Sequence, residues 1–112
     1  RAMSRLSETY MARTLDHPDL NDVSLEDALR ALADPVRLSI VRLAARSPAL
    51  PCNRFFEEIP KSTMSHHWRV LREAGLIRQE GSGTARLNSL RRKELQQRFP
   101  GLLQLVLHEE PR

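Results

Sequence analysis

Residues 61–89 read KSTMSHHWRVLREAGLIRQEGSGTARLNS, and this stretch decides the fold. On a helix at about 100° per residue, one side has the i, i+4, i+7, i+11 spacing of a buried stripe, formed by Met64, Trp68, Leu71 and Gly75. The opposite side carries short hydrogen-bonding groups and a cation, namely Ser62, Ser65, His66 and Arg69. The pattern therefore predicts a two-faced helix closed by glycine, followed by strands over residues 76–80 and 84–89 around a turn at 81–83.

The positive charge of the chain is concentrated in the same region. Residues 61–93 contain eight Lys or Arg and two acidic residues, a net charge of +6, whereas the whole chain carries +4. The remainder is therefore slightly acidic. This asymmetry is the electrostatic footprint expected of a protein that binds nucleic acid.

Length and composition predict one small globular domain of 112 residues, with 40% hydrophobic and 29% charged residues. A domain of this length buries only about two-thirds of its unfolded surface, so a second copy is a natural source of further core. No apolar run approaches the roughly 20 residues of a membrane span, and we expect a cytoplasmic protein with no membrane partner. The single cysteine, Cys52, excludes an intrachain disulfide and fits a reducing compartment.

Two helices are predicted before the decisive stretch. The first covers residues 25–33, is capped by Ser24 with Asp27 in the capping-box position, and has an apolar face of Leu25, Ala28, Leu29 and Leu32. The second begins at Pro35 with Asp34 as its N-cap, and its buried face is Val36, Ile40, Leu43 and Ala44. On that helix the residues expected to point away are Arg37, Ser39, Arg42 and Arg46. Residues 47–51 are predicted to form a loop because they contain two prolines.

A short helix is predicted from a cap at Asn53 through Ile59, ended by Pro60 and followed by a helix capped by Ser62. From residue 90 the chain returns to helix, which Pro100 and Gly101 kink or restart. Its apolar residues are too many to be left in water and indicate a partner, for which a second copy is the simplest candidate: Leu95, Phe99, Leu102, Leu103, Val106 and Leu107.

The domain predicted by these patterns covers residues 24–112. Residues 1–23 form an N-terminal extension with a predicted short helix over residues 4–15. Arg1 and Ala2 precede Met3, and we expect them to come from an expression vector rather than from the natural chain.

Three stretches, together with the order of the elements, resemble the ArsR-type (arsenic-repressor-like) family of winged helix-turn-helix regulators: ALADPVRL at 31–38, STMSHHW at 62–68 and VLREAGLI at 70–77. The resemblance implies a mostly α fold with a small β-hairpin, in the order α-α-α-α-β-β-α, and a homodimer formed through the terminal helices. It also implies a repressor that binds an inverted-repeat operator in the major groove of double-stranded DNA.

The resemblance assigns roles to particular residues. Base contacts are expected from Ser62, Thr63, Ser65 and His66. Phosphate contacts are expected from Lys61 and Arg69, and hairpin contacts from Arg86 and Arg78. Arg72 flanks the polar face one turn further on, where it is expected to reach a phosphate. Residues 91–93 are either a phosphate clamp after the hairpin or an ordinary exposed helix start.

No metal or other cofactor is expected. Family members that sense metals use cysteine pairs or spaced ligands on the last helix, whereas Cys52 has no second cysteine and His108, Glu109 and Glu110 do not complete a site. His66 and His67 diverge by about 100° on a helix and cannot easily share one ion. His67 lies near the edge of the buried face, where it either packs and bonds to backbone, which we favour, or contacts a base. Cys52 is either a small buried hydrophobe or a redox sensor, and the effector is unknown.

No catalytic motif is present in the sequence, so an enzyme is not expected. The leading hypothesis is a sequence-specific DNA-binding regulator that acts as a homodimer. The alternative is a winged helix that serves as a protein-interaction module, with its basic face docking an acidic partner, because one fold supports both functions.

Overall fold

The computed structural model describes residues 16–51, 58–82 and 85–109. A 3-10 helix at Leu20–Asp22 precedes helices α1 (Leu25–Leu32), α2 (Pro35–Arg46), α3 (Lys61–Glu73), α4 (Arg92–Arg98) and α5 (Leu102–His108). The strands are β1 (Leu50–Pro51), β2 (Ile77–Ser82) and β3 (Ala85–Leu90). The fold is thus mostly helical with a small antiparallel sheet, which fits a winged helix-turn-helix. The helix predicted over 4–15, most of the one predicted from Asn53, and Cys52 lie outside the described residues.

Helices α1 and α2 begin at their predicted caps. The Ser24 hydroxyl accepts a hydrogen bond from the backbone N–H of Asp27 at 3.0 Å, and the Asp34 carboxylate accepts one from the N–H of Arg37 at 3.0 Å. Pro35 occupies the first turn of α2. Each cap satisfies a backbone donor that would otherwise have no partner within its helix, which explains why short-range sequence signals located both starts.

Helix α3 begins differently from the prediction. It starts at Lys61, with Pro60 in the cap position and no side-chain cap hydrogen bond, so Ser62 lies inside the first turn rather than before it. Pro60 has a ψ of 147°, the extended value typical of a cap residue, and its ring holds φ at −56°.

The end of α3 confirms the prediction made from Gly75. Gly75 has a φ of 79°, and the Leu76 N–H donates to the Leu71 carbonyl at 3.0 Å, which closes the helix. A Cβ at this position would also lie 3.1 Å from both terminal carbons of Leu20. Glycine is therefore required both by the backbone conformation and by the close approach of the N-terminal segment.

The three-stranded sheet has the order β1-β3-β2, and all its pairs are antiparallel. In the predicted hairpin the register runs from Ile77 opposite Leu90 to Ser82 opposite Ala85. Strand β2 therefore extends further towards the hairpin tip than predicted, and β3 extends further towards the hairpin base. The loop predicted over residues 47–51 is partly wrong, because Leu50 and Pro51 pair with Asn88 and Leu87. A two-residue edge strand tolerates proline, which cannot donate to a central ladder.

One core joins the helices to the sheet. The predicted stripe of α3 is buried, with Met64, Trp68 and Leu71 between 0% and 5% exposed. They share a cluster with residues from every described helix, including Ala28, Ile40, Val41, Leu95, Leu103 and Val106. The 3-10 helix contributes Leu20, and Val23 follows it. Part of the N-terminal extension thus packs on the domain predicted to begin at residue 24.

The buried face of α1 is rotated relative to the prediction. Ala28 and Leu32 are buried as expected, but Leu25 and Leu29 are each 47% exposed, and Ala31 is buried in their place. Helix α1 has only eight residues and docks through its two alanines, whose small side chains allow a close approach. The apolar pattern alone placed both leucines inside.

Two arginines of α2 do not point away from the protein as predicted. The Arg37 Nε donates to the Ala31 carbonyl at 2.6 Å, at the end of α1. The Arg42 Nε donates to the Val106 carbonyl at 3.1 Å, and its Nη2 donates to the Glu109 carbonyl. Both guanidinium groups therefore tie α2 to neighbouring helix ends, where carbonyl groups lack partners within the helix.

The C-terminal helix restarts where Pro100 and Gly101 predict a break. Helix α4 ends at Arg98, Gly101 has a φ of 91°, and α5 begins at Leu102. Of the six apolar residues that indicated a partner, four are buried (Leu95, Phe99, Leu103 and Val106), and Leu102 and Leu107 are partly buried. Leu105 is 61% exposed. Among the described residues, no helix is long and apolar enough to cross a membrane.

Candidate nucleic-acid interface

The polar face of α3 lies at the surface. Seven residues of this helix were expected to contact DNA, and six of them are exposed: Lys61, Ser62, Thr63, Ser65, His66 and Arg69. They are exposed because the opposite stripe is held in the core by Trp68 and Leu71. The helix therefore presents a row of hydrogen-bonding groups flanked by cations, which is the chemistry that base edges and phosphates require.

The cations of this face are available to a polyanion. Lys61 and Arg69 form no ion pair with an acidic residue within 16–51, 58–82 and 85–109. The nearest polar partner of Arg69 is His66, whose Nδ1 lies 3.5 Å from Nη2. Because neither charge is neutralised by a described carboxylate, both can pair with phosphate.

His67 anchors α3 to α2 instead of facing outward. It is 8% exposed, and its Nδ1 lies 3.0 Å from Nη1 of Arg37, which also holds the end of α1. Arginine can only donate hydrogen bonds, so Nδ1 accepts and the ring is neutral with its proton on Nε2. The burial predicted for His67 is confirmed, but its partner is the Arg37 side chain rather than the backbone.

We expect the free energy of unfolding to fall as the pH drops from about 7 to 5, because His67 resists protonation in the folded chain. Burial is the largest cause that lowers the pKa of His67 below 6.5, Arg37 and His66 lower it further, and Asp34 opposes them. The unfolded chain then binds the extra proton more readily, so stability is lost below its pKa near 6.5, with a slope of at most about 1.4 kcal/mol per pH unit.

Urea unfolding at several pH values measures this slope. In His67→Asn the amide oxygen can accept from Arg37 but cannot titrate, so this part of the slope should disappear. The control is His66→Asn at the exposed neighbouring position, which should retain the pH dependence of stability that His67 causes. If the slope of the free energy of unfolding against pH were unchanged in His67→Asn, burial of His67 would not be its cause.

Arg72 does not lie on the exposed face, contrary to the expectation of a phosphate contact. Its side chain is 16% exposed, and its Nη1 donates to the Oε1 of Gln79 at 2.7 Å. Its Nη2 lies 4.0 Å from Glu73, at the limit of an ion pair. Arg72 thus joins α3 to β2, because its long side chain folds under the helix to reach a buried acceptor.

The hairpin carries one free cation and one paired cation among its described residues. Arg86 is exposed on β3. Arg78 on β2 lies 3.2 Å from Glu94, which also accepts two hydrogen bonds from Arg91 at 2.9 Å each. The hydrogen bonds from Arg91 are the largest cause that lowers the pKa of Glu94 to about 2. Arg86 is therefore better placed than Arg78 to contact a phosphate.

Neither alternative predicted for residues 91–93 covers the whole run, because Arg91 is buried. Arg91 is 6% exposed and donates to the Pro18 carbonyl at 2.8 Å as well as to Glu94, so it is a packing residue. Arg92 and Lys93 are exposed, and Arg92 donates to the Ala45 carbonyl at 2.9 Å.

The described residues contain no group of three His, Cys, Asp or Glu side chains that could hold a metal ion. Cys52, the candidate redox sensor, lies outside the described residues.

Comparison with known proteins agrees with the geometry of this face. A model described as a helix-turn-helix domain matches residues 32–80, a range that includes α2, α3 and the start of the hairpin. The chain is 37% identical over 80 residues to YceK of Bacillus subtilis, an uncharacterized HTH-type transcriptional regulator, and the match covers 69% of this chain and 80% of that protein. The chain belongs to the helix-turn-helix transcriptional regulators.

A second relative supports the same conclusion. An uncharacterized HTH-type transcriptional regulator of Methanocaldococcus jannaschii is 32% identical over 60 residues, which cover 52% of this chain and 67% of that protein. For this helix-turn-helix regulator, DNA binding follows from the family.

Two residues that position this regulator's α3 were missed from the sequence, Arg37 and Gln79. The signal for Gln79 was present, since it lies two positions after the buried Ile77 and residues i and i+2 share a face of a strand. Arg37 gave no such signal, because an arginine on a helix is ordinarily exposed.

Proposed function

We propose that this regulator is a dimeric repressor of the ArsR type that binds an inverted-repeat operator with α3 in the major groove. The observation that carries the proposal is the exposed polar row on α3. Ser62, Thr63, Ser65 and His66 supply donors and acceptors suited to base edges. Lys61 and Arg69 supply phosphate contacts from the same helix, and Arg86 supplies one from the hairpin.

A dimer is supported by apolar side chains left in water on the terminal parts of the fold. Leu105 on α5 is 61% exposed, and Leu25 and Leu29 on α1 are 47% exposed. A domain of this size can bury such residues against a second copy of itself, and a twofold dimer presents two identical α3 helices. Two such helices read an inverted repeat. A dimer bound to an operator that overlaps a promoter would block transcription, which is the repressor role proposed.

Selection of binders from a random duplex pool at about 150 mM salt tests this proposal without a guess at the operator. Enrichment of an inverted repeat, with half-sites one helical turn or a multiple apart, is the expected result. A single half-site would contradict the dimer. Failure to distinguish any sequence from scrambled duplex would contradict sequence-specific binding and favour a basic face that docks an acidic protein.

We expect Arg69→Ala to weaken binding to the enriched and the scrambled duplex alike, because a phosphate contact carries no sequence information. The slope of log affinity against log salt should fall by about one, as expected for one lost contact. Fluorescence anisotropy over a salt series measures both quantities.

The matched control for Arg69→Ala is Arg30→Ala, which removes the same charge from α1. The Arg30 side chain is 73% exposed and pairs with Asp27 at 2.8 Å. The control should keep the parent salt slope. Equal slopes in Arg69→Ala and the parent would count against a phosphate contact at Arg69.

A further inference from the structure

We propose that Gln79 is a positioning residue that holds the β2–β3 hairpin at a set angle to α3, so that Arg86 and the polar face of α3 meet DNA together. The inference rests on the proposed function and adds to it a residue that touches no DNA. Gln79 is 2% exposed in the middle of β2, and it links α3 to both strands of the hairpin.

Two hydrogen bonds fix the orientation of the Gln79 amide. Its Oε1 accepts from Nη1 of Arg72 on α3 at 2.7 Å, and its Nε2 donates to Oδ1 of Asn88 on β3 at 2.8 Å. Arginine has no acceptor, so the oxygen of the amide must face α3 and its nitrogen must face β3. The reversed amide would set two donors against each other. The side chain thus fits only one arrangement of helix and hairpin.

The surroundings of Gln79 make this arrangement costly to change. Asn88 is 0% exposed and is the direct cross-strand partner of Gln79, so the second bond ties both strands together. The Nε of Arg72 is buried without a hydrogen-bond partner among the described residues, so the bond from its Nη1 to Gln79 is costly to lose. On the other side, the backbone N–H of Gln79 donates to Nε2 of His17 at 2.9 Å. Hydrogen bonds in such a buried site are directional and strong.

The geometry of the sheet transmits this position to Arg86. Arg86 lies two residues before Asn88 on β3, so the two side chains project from the same face of the sheet. On that face Gln79 bonds to Arg72 of α3, and Arg86 lies nearer to the tip of the hairpin than Asn88 does. A rotation of the hairpin about its base would therefore move Arg86 relative to Ser65 and His66, while leaving the contacts between α3 and DNA intact.

A double-mutant cycle between Gln79→Met and Arg86→Ala tests the inference, with binding measured on the duplex enriched by selection. Methionine keeps the approximate volume of glutamine but forms neither hydrogen bond. We expect each single variant to weaken binding by about 10-fold and to lower the salt slope by about one, as expected when one phosphate contact is lost. The double variant should be about as weak as either single variant, since residues that act through one contact are not additive.

The control is Gln97→Met at an exposed position of α4, which should bind DNA as the parent does. Far-UV circular dichroism checks that each variant is folded. If Gln79→Met does not fold, Gln79→Glu replaces it, because a carboxylate still accepts from Arg72 but cannot donate to Asn88. Gln79→Glu should show the same non-additivity with Arg86→Ala, with a smaller loss on its own.

Additive losses in folded variants would overturn the inference, because the hairpin would then contact DNA independently of Gln79. An Arg86→Ala variant that binds like the parent would also overturn it, together with the proposed hairpin contact. In that case a loss in Arg69→Ala would leave DNA binding by α3 standing. Parent-like binding by both Arg69→Ala and Arg86→Ala would instead contradict the phosphate contacts on which the proposed function relies.

Discussion

Trp68→Ala is expected to lower the free energy of unfolding by about 3–5 kcal/mol, the range measured for removal of a large buried aromatic side chain. Trp68 is 4% exposed and belongs to the core cluster that joins the helices to the sheet. Domains of this kind have a total stability of about 5–15 kcal/mol, so the loss removes a large fraction of it. The melting temperature should fall by at least about 12 °C.

Urea unfolding followed by far-UV circular dichroism measures this effect. Tryptophan fluorescence is unsuitable, since Trp68 is the single tryptophan of the chain. The control is Arg69→Ala, the next residue on the same helix, which is exposed and should change stability by no more than about 0.5 kcal/mol. A loss below about 1 kcal/mol in Trp68→Ala would mean that the two faces of α3 are assigned the wrong way round.

His66→Ala and Ser65→Ala are each expected to cost about 1–3 kcal/mol of discrimination between bases, which corresponds to roughly 5- to 150-fold in relative affinity. Both residues are exposed near the start of α3, the part of a recognition helix that meets base edges. Repeating the selection from a random duplex pool with each variant should relax the preference at one position in each half-site. Affinity for scrambled duplex should stay close to that of the parent.

His108→Ala on α5 is the matched control for His66→Ala, because it removes an exposed histidine far along the chain from α3. It should preserve the preference at every operator position. If His66→Ala lowers the affinity for operator and scrambled duplex equally, its contact is to the sugar-phosphate backbone. A variant with parent-like affinity and preference would remove His66 from the interface.

The comparison of sequence and structure shows that short-range signals were read correctly, whereas a long-range strand pairing was missed. The caps at Ser24 and Asp34, the glycine at Gly75 and the break at Gly101 were all found from sequence, because each depends on residues within three or four positions. The strand at Leu50 and Pro51 was missed. Its pairing partners lie nearly forty positions along the chain, and the two prolines of residues 47–51 resemble a loop.

The arginines were the least predictable residues. Arg69 and Arg86 are exposed as expected, but Arg37, Arg42 and Arg72 reach other elements of the fold. Their long side chains can lay an apolar stem along the protein and place the guanidinium several ångströms away. Counting charges in a segment therefore overstates the number that face a ligand, as Arg72 shows.

The sequence by itself determined that α3 has two faces, because the 3.6-residue period of a helix places Met64, Trp68 and Leu71 opposite Ser65 and His66. This local periodicity, together with the basic charge around it, also indicated a nucleic-acid binder. Only the tertiary structure decided how α3 is held. Its links run from His67 to Arg37, thirty positions away, and from Arg72 through Gln79 to Asn88. Periodicity can indicate that a residue such as Gln79 is buried but not which partner it bonds to, since each hydrogen bond forms only once the helix and the sheet have packed.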